Sequence, residues 1–201
     1  MIKIDKDTHW VKEENTIKTK KQKKQIIIGF SLREGHKHLT RLYHKDFGKS
    51  KEWNTFTITR DGEIFQHFDT QKSSDYIGVK EYDEKSISIV LENMGCLNNI
   101  DNNTYVNWLN EKCNINRVVN KNWMGYKYWE KFNDTQIMNT IELCKQLCDQ
   151  FDIPKQCIEF NHYNESVNKF NGIVFKSNYI EDSGSINPLF NISVFNKNLK
   201  K

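Results

Sequence analysis

Hydrophobic and polar positions along this chain alternate with two different periods, and the periods predict the elements. Ile26-Ile27-Ile28 is a short β-branched run, bounded by Lys18, Lys20, Lys21, Lys23 and Lys24 on one side and Gly29 on the other, as a buried strand would be. Leu39, Leu42, Tyr43 and Phe47 then recur at three- and four-residue intervals with Gly48 behind them, which predicts an amphipathic helix over residues 36–47. Residues 55–59 alternate polar side chains with Phe56 and Ile58, Arg60-Asp61-Gly62 supplies turn chemistry, and residues 63–68 lead back, so a β-hairpin is expected. Residues 86–92 predict the next strand. Ile137, Ile141, Cys144, Cys148 and Phe151 keep helical spacing, with Asp134 as the expected N-cap and Pro154 beyond the end. Residues 156–160 read as a last strand, and the remainder up to Asn187-Pro188-Leu189-Phe190 reads as loop. Strands interleaved with helices predict an α/β (mixed α+β) domain, a central mixed β-sheet flanked by helices.

With 201 residues, 37% of them hydrophobic, the chain suffices for one domain with a sizeable core. Residues 1–24 read as a basic N-terminal arm and 25–201 as the domain, within which 98–132, Asn-rich and carrying Trp108, Trp123 and Trp129, reads as an insertion. The formal charge of +4 is too small to select a partner, the lysine run reads as a solvated lead-in, and nucleic acid is not expected. No apolar run approaches the roughly 18 residues of a membrane span. Met1-Ile2-Lys3-Ile4-Asp5 lacks the apolar centre of a secretory signal, so a soluble chain made in the cytoplasm is expected. Five cysteines without a CxxC pair argue against a disulfide framework and against a Cys-rich zinc module. Cys144 and Cys148, on the apolar face of the predicted helix, are expected as core thiols. His67, beside Phe68, reads as a sheet-surface residue.

The order strand, helix, hairpin with an Asp-Gly turn, strand, long helix, strand and late Pro-x-Phe resembles the zinc-dependent N-acetylmuramoyl-L-alanine amidase and peptidoglycan-recognition family. The resemblance spans about residues 26–190 and is most specific in 54–68 and in Ser86-Ile87-Ser88-Ile89-Val90-Leu91-Glu92-Asn93. It implies a zinc-binding His at the end of the first strand, a second at the end of the strand after the long helix, and an Asp or Cys just before the late Pro. Two imidazoles and a carboxylate or thiolate leave one zinc position for a water made nucleophilic near neutral pH. Laid on this chain, the first position is Gly29, or at best Phe30, and the second is His162. The third is Asn187, with Ser185 where the family usually has Lys. The Glu common in the family's next strand is Val90, the Tyr-His pair before the hairpin is Asn54-Thr55, and the family's Trp-His-Ala-Gly falls near Asp75-Tyr76-Ile77-Gly78. Gly29, His162 and Asn187 are therefore expected as relic zinc-site positions, with His162 the one metal ligand kept. The alternative that His36, His38 or His44 completes a set with Glu34 or Asp46 stays open, because side chains two apart can share a strand face.

Such a shell is expected to be non-catalytic, a binding or structural component, for instance of a phage particle or tail. Its partners are then other proteins of an assembly, or peptidoglycan held in a groove lined by Trp53, Asn54, Tyr76, Tyr82 and Tyr126. No cofactor is expected on this reading. The enzyme alternative, an amidase that cleaves peptidoglycan with bound zinc, stays beside it.

Overall fold

The structure is a computed structural model and describes residues 2–33, 39, 52–101, 103–181 and 187–201. The helix expected over residues 36–47, with His36, His38, His44, Glu34 and Asp46, lies outside the described residues apart from Leu39, which is buried.

A six-stranded mixed sheet forms the centre. Its strands are β1 (Ile4–Asp5), β2 (Gln25–Phe30), β3 (Phe56–Ile58), β4 (Ile64–Gln66), β5 (Ser86–Leu91) and β11 (Gly172–Phe175), in the order β1-β4-β3-β5-β2-β11. The hairpin partners β3 and β4 run antiparallel, and every other neighbouring pair is parallel. All residues of β2, β5 and β11 are buried, the pattern of strands covered on both faces. Helix α1 (Lys80–Glu84) leads into β5. Helix α2 (Asp134–Phe151) buries Ile141, Leu143, Cys144, Leu147 and Cys148 in the main core, and α3 (Ile192–Leu199) adds Phe195 and Leu199. Cys144 and Cys148 are core thiols as expected, and burial pushes Cys148 up to about 11.

Several boundaries differ from the sequence expectation. The cap of α2 is Asn133, whose side chain accepts from the Thr135 amide, with Asp134 in the first turn. Residues 156–160 form only an isolated parallel bridge, Cys157 with Ile173, and the last strand is β11. Residues 98–132, read from the sequence as an insertion, have a regular structure of their own. They supply most of a five-stranded antiparallel sheet, β8-β7-β6-β10-β9, made of β6 (Cys96–Asp101), β7 (Thr104–Val106), β8 (Lys112–Cys113), β9 (Val118–Trp123) and β10 (Tyr126–Glu130).

The expected basic arm is part of the body. β1 extends the sheet edge beside β4, Val11 is buried against Trp53 and Phe68, and Ile17 bridges Ser73. Lys23 is buried, with its ammonium donating to the carbonyls of Lys72, Glu84 and Ser86 at 2.8–3.2 Å. His67 is buried too, not on the sheet surface. Its Nδ1 lies 3.0 Å from the His9 carbonyl and its Nε2 2.8 Å from the Thr57 hydroxyl, so Nδ1 carries the proton and Nε2 accepts.

The two sheets are joined at Glu130, whose carboxylate is buried. Oε1 lies 3.2 Å from Arg60 Nη1 and 3.1 Å from Arg117 Nη1, and Oε2 accepts from the Met94 amide at 2.7 Å. The Glu130 carbonyl accepts from the Asn93 and Asn187 side chains at 3.2 and 2.8 Å. A second contact lies at the exit of β2, where the Leu32 carbonyl accepts from Asn107 Nδ2 and Trp108 Nε1, both at 3.1 Å.

Removing the Glu130 carboxylate takes the shared acceptor from two guanidinium groups and from a buried amide. Glu130→Ala is expected to cost about 3 kcal/mol by urea denaturation, whereas Lys155→Ala, which removes a surface pair with Asp149, should cost less than about 0.5 kcal/mol.

Burial holds the His67 imidazole down to about 4, with the bond to the His9 carbonyl pulling upward. The unfolded value is about 6.5, so between these limits only the unfolded chain takes the proton. The contribution to stability is complete above about pH 6.5 and is lost as pH falls toward 4, by on the order of 3 kcal/mol in all. Between pH 7 and 5 the protein should lose about 2 kcal/mol more than His67→Gln, measured by chemical denaturation.

Candidate functional site

Strand register aligns one row of residues across the central sheet. Thr57 of β3 pairs with Val90 of β5, and Val90 pairs with Gly29 of β2. On the other side of β2, Phe175 of β11 pairs with Ile28, so the next residue, Lys176, follows beside Gly29. A Cβ built on Gly29 would lie 3.5 Å from the Lys176 Cβ. The strand that follows the long helix and pairs with β2 thus ends at Phe175, with Lys176 the next residue, and His162 does not lie in this row. His162 is exposed, its ring 4.9 Å from that of Phe160 and its carbonyl bonded to Asn178 Nδ2 at 2.9 Å.

The space that a side chain at Gly29 would fill belongs to Tyr76. The added Cβ would collide with the Tyr76 hydroxyl oxygen and approach the ring carbon Cζ to 3.3 Å. Lys176 Nζ lies 4.3 Å from the centroid of the same ring, a cation–π arrangement. Tyr76 is held there by its own turn, because the buried Asp83 carboxylate accepts from the amides of Ile77 and Gly78 at 2.8 and 3.0 Å. Burial pushes the Tyr76 hydroxyl above the ordinary phenol range, with the Asp83 charge adding to it. Burial also raises Asp83, against the lowering effect of its two amide bonds and of Lys176.

Asn187 is buried elsewhere in the network, and its amide is committed on both sides. Nδ2 donates to Asn93 Oδ1 at 2.9 Å and to the Glu130 carbonyl at 2.8 Å, and Oδ1 accepts from the Leu189 amide at 3.0 Å. Ser185 lies outside the described residues.

A structural or catalytic zinc ion needs three or four N, O or S donors with free lone pairs. Gly29 has no side chain, the Lys176 ammonium is a donor without an acceptor, and both ends of the Asn187 amide are occupied. These residues do not fit the ion. Among the described residues, no group of three His, Cys, Asp or Glu could hold a metal.

The residues expected to line a groove do not converge. Trp53 is buried with Val11 and Phe68. Asn54 is buried, donating to the Phe56 carbonyl and the Thr57 hydroxyl at 2.6 and 2.8 Å. Tyr126 is exposed on the second sheet against Trp129. Tyr76 sits over Gly29, and Tyr82 packs on Tyr179 with ring centroids 5.0 Å apart. Lys176 and Tyr179 were missed by sequence reasoning, although Ile173-Val174-Phe175 carries the same β-branched signature as Ile26-Ile27-Ile28. No helix of the described residues is long and apolar enough to cross a membrane.

A family model described as N-acetylmuramoyl-L-alanine amidase matches residues 11–171. Among solved structures, the chain is similar to the endolysin N-acetylmuramoyl-L-alanine amidase LysCS from Clostridium intestinale URNW. The TM-score is 0.59 and the identity 10%, over 100% of this chain and 97% of that one. A mutant endolysin from Bacillus subtilis matches with a TM-score of 0.56 and 15% identity over 99% of each chain. The amidase AmiD from E. coli, in complex with anhydro-N-acetylmuramic acid-L-Ala-D-gamma-Glu-L-Lys, matches with a TM-score of 0.56 and 16% identity over 92% of this chain and 66% of that one. By sequence, no curated protein matches.

If Tyr76 fills the space at Gly29, the two positions are coupled. Gly29→Ala should cost about 2 kcal/mol in the native background and measurably less in Tyr76→Phe, where the colliding oxygen is gone. A double-mutant cycle on denaturant midpoints reads the coupling, and simple additivity would contradict the packing.

Proposed function

This chain belongs to the N-acetylmuramoyl-L-alanine amidase family, and we propose that it is a non-catalytic member that binds the cell-wall polymer without cleaving it. The observation that carries the reading is the row Val90–Gly29–Lys176, with Tyr76 lying over Gly29. In the family's order of elements, the first strand and the strand after the long helix end in zinc-binding histidines. On the register of β2 and β11 these two positions are Gly29 and Lys176, and the third is Asn187. His162, the ligand expected from sequence, lies on the segment before β11, so none of the three positions keeps a ligand. The family model ends at residue 171, before Lys176 and Asn187, so this assignment rests on strand register.

Two further substitutions point the same way. Val90 stands where the family commonly has Glu, and it is buried beside Gly29. Tyr76 falls near the family's Trp-His, and its hydroxyl is held neutral by burial. Without a metal-activated water, and with the neutral side chains of Val90 and Tyr76 where the family has Glu and Trp-His, the position has no activated nucleophile with which to attack an amide. Membership of an amidase family supports peptidoglycan as the target.

A second reading, a building block of a phage particle, draws support from the second sheet. Ile100, Trp108 and Met124 are exposed there at 61%, 58% and 62%, and large exposed side chains of this kind are favoured interface anchors. Co-sedimentation with a large assembly would favour it.

Elemental analysis of purified protein, paired with sacculus-clearing and sacculus-pelleting assays, tests the proposal. The expected outcome is zinc well below one equivalent, no clearing, and protein in the pellet with sacculi. About one tightly bound zinc together with clearing would overturn the non-catalytic reading, and protein left in the supernatant would overturn wall binding.

A further inference from the structure

We propose that the hollow beside Tyr82 and Tyr179, near the start of β2, is a saccharide-binding site. It deepens the wall-binding reading, on which its biological sense rests, by naming a glycan as the ligand. Strand alternation puts Gln25 and Gly29 on one face of β2, about 13 Å apart. The hollow at the Gln25 end is separate from the position sealed by Tyr76.

Two buried amides build it. Gln25 Nε2 donates to the carbonyls of Val167 and Phe170 at 2.8 and 2.6 Å, and its Oε1 accepts from the Tyr179 hydroxyl. Asn178 Nδ2 donates to the carbonyls of Phe160 and His162 at 3.0 and 2.9 Å, and the Asn178 backbone carbonyl accepts from the Asn164 backbone amide at 3.1 Å. The segment 160–170 is thereby clamped as a wall in front of the tilted Tyr82–Tyr179 ring pair, whose planes lie 37° apart. Between wall and rings is a cavity of about 580 Å³, within the range of small-molecule pockets.

The lining selects the ligand class. Glu165, Asn168 and Lys169 are exposed on the wall, and their side chains engage no hydrogen bond or ion pair among the described residues. One acid and one base cancel, which disfavours a dedicated anion site. The only aliphatic lining residue, Val167, is buried, so the hollow offers no apolar subsite for a peptide side chain. Aromatic faces with amide, carboxylate, ammonium and hydroxyl groups around them match a neutral ring that has apolar C–H faces and equatorial hydroxyls.

The test is calorimetric titration of the full chain with a β-1,4-linked N-acetylglucosamine tetramer, with inorganic phosphate as the competing probe. Saturable binding of the tetramer is expected. Tyr163→Ala and Asn168→Ala, both at exposed positions of the wall, should each weaken it about tenfold with an unchanged melting temperature. No binding at about 10 mM saccharide, binding that neither variant weakens, or binding of phosphate alone would overturn the site. Zinc uptake with wall clearing would sink the non-catalytic reading and leave the hollow standing. Sacculus binding without tetramer binding would sink the hollow alone.

Discussion

A carboxylate withdrawn from water between two guanidinium groups governs how the parts of this chain meet. Taking Glu130 out of solvent carries a desolvation cost of several kcal/mol, which is recovered only when every lone pair finds a donor. Here Oε1 has Arg60 from the hairpin turn and Arg117 from the second sheet, and Oε2 has the Met94 amide. The backbone carbonyl of the same residue takes Asn93 and Asn187. Four separate stretches of chain are fixed by one residue, and each is fixed in register because the donors are directional. Bound zinc would join the first strand, the last strand and the late loop in the fold this chain resembles, and metal ligation of that kind is coupled to folding. In this chain the late loop is tied through Asn187 to Glu130 and Asn93 instead.

Internal contacts also fill the space beside Gly29. A glycine leaves room in a close-packed sheet, and an unfilled hole there would be destabilising. Tyr76 fills it, and the Lys176 ammonium brings positive charge to the ring face. The Asp83 carboxylate that fixes the Tyr76 turn lies close enough to Lys176 for the two charges to interact. Gly29, Tyr76, Lys176 and Asp83 therefore form a packed unit. A bulkier side chain at Gly29 meets resistance from the others.

How much of this was legible in the sequence depended on how local each signal was. β3, β4 and β5, the Asp61-Gly62 turn and α2 were readable, since a hairpin turn and a helical period are written within a few residues. The second sheet was not, because Asn-rich strands such as β6 and β9 expose half or more of their residues and carry no clean alternation. The N-terminal segment misled for a related reason. Its lysine run looks solvated, yet Lys23 is buried by three carbonyls that come from residues 72 to 86. At the site, Gly29 and Asn187 could be named from the order of motifs, whereas Lys176 required knowing which strand lies beside β2. Trp53 and Asn54 look like groove residues by type, and only their packing reveals them as interior.

The displacement of His162 from the sheet row and the hollow at Tyr179 have one physical origin. Between the end of α2 and the start of β11 the chain spends residues 152–171, far more than a helix-to-strand connection needs. The first part, from Gln156, runs beside β11 as an extended edge with one bridge, which is why it reads as the last strand and why Asn161-His162 imitates a strand-terminal ligand. The second part turns back and is clamped by Gln25 and Asn178 as the wall of the hollow. A loop held by buried amides on a rigid sheet can acquire binding chemistry without disturbing the scaffold, since recognition resides in the loops that a fold presents. The segment that carries His162 away from the sheet row is thus the one that walls the hollow at the opposite end of β2.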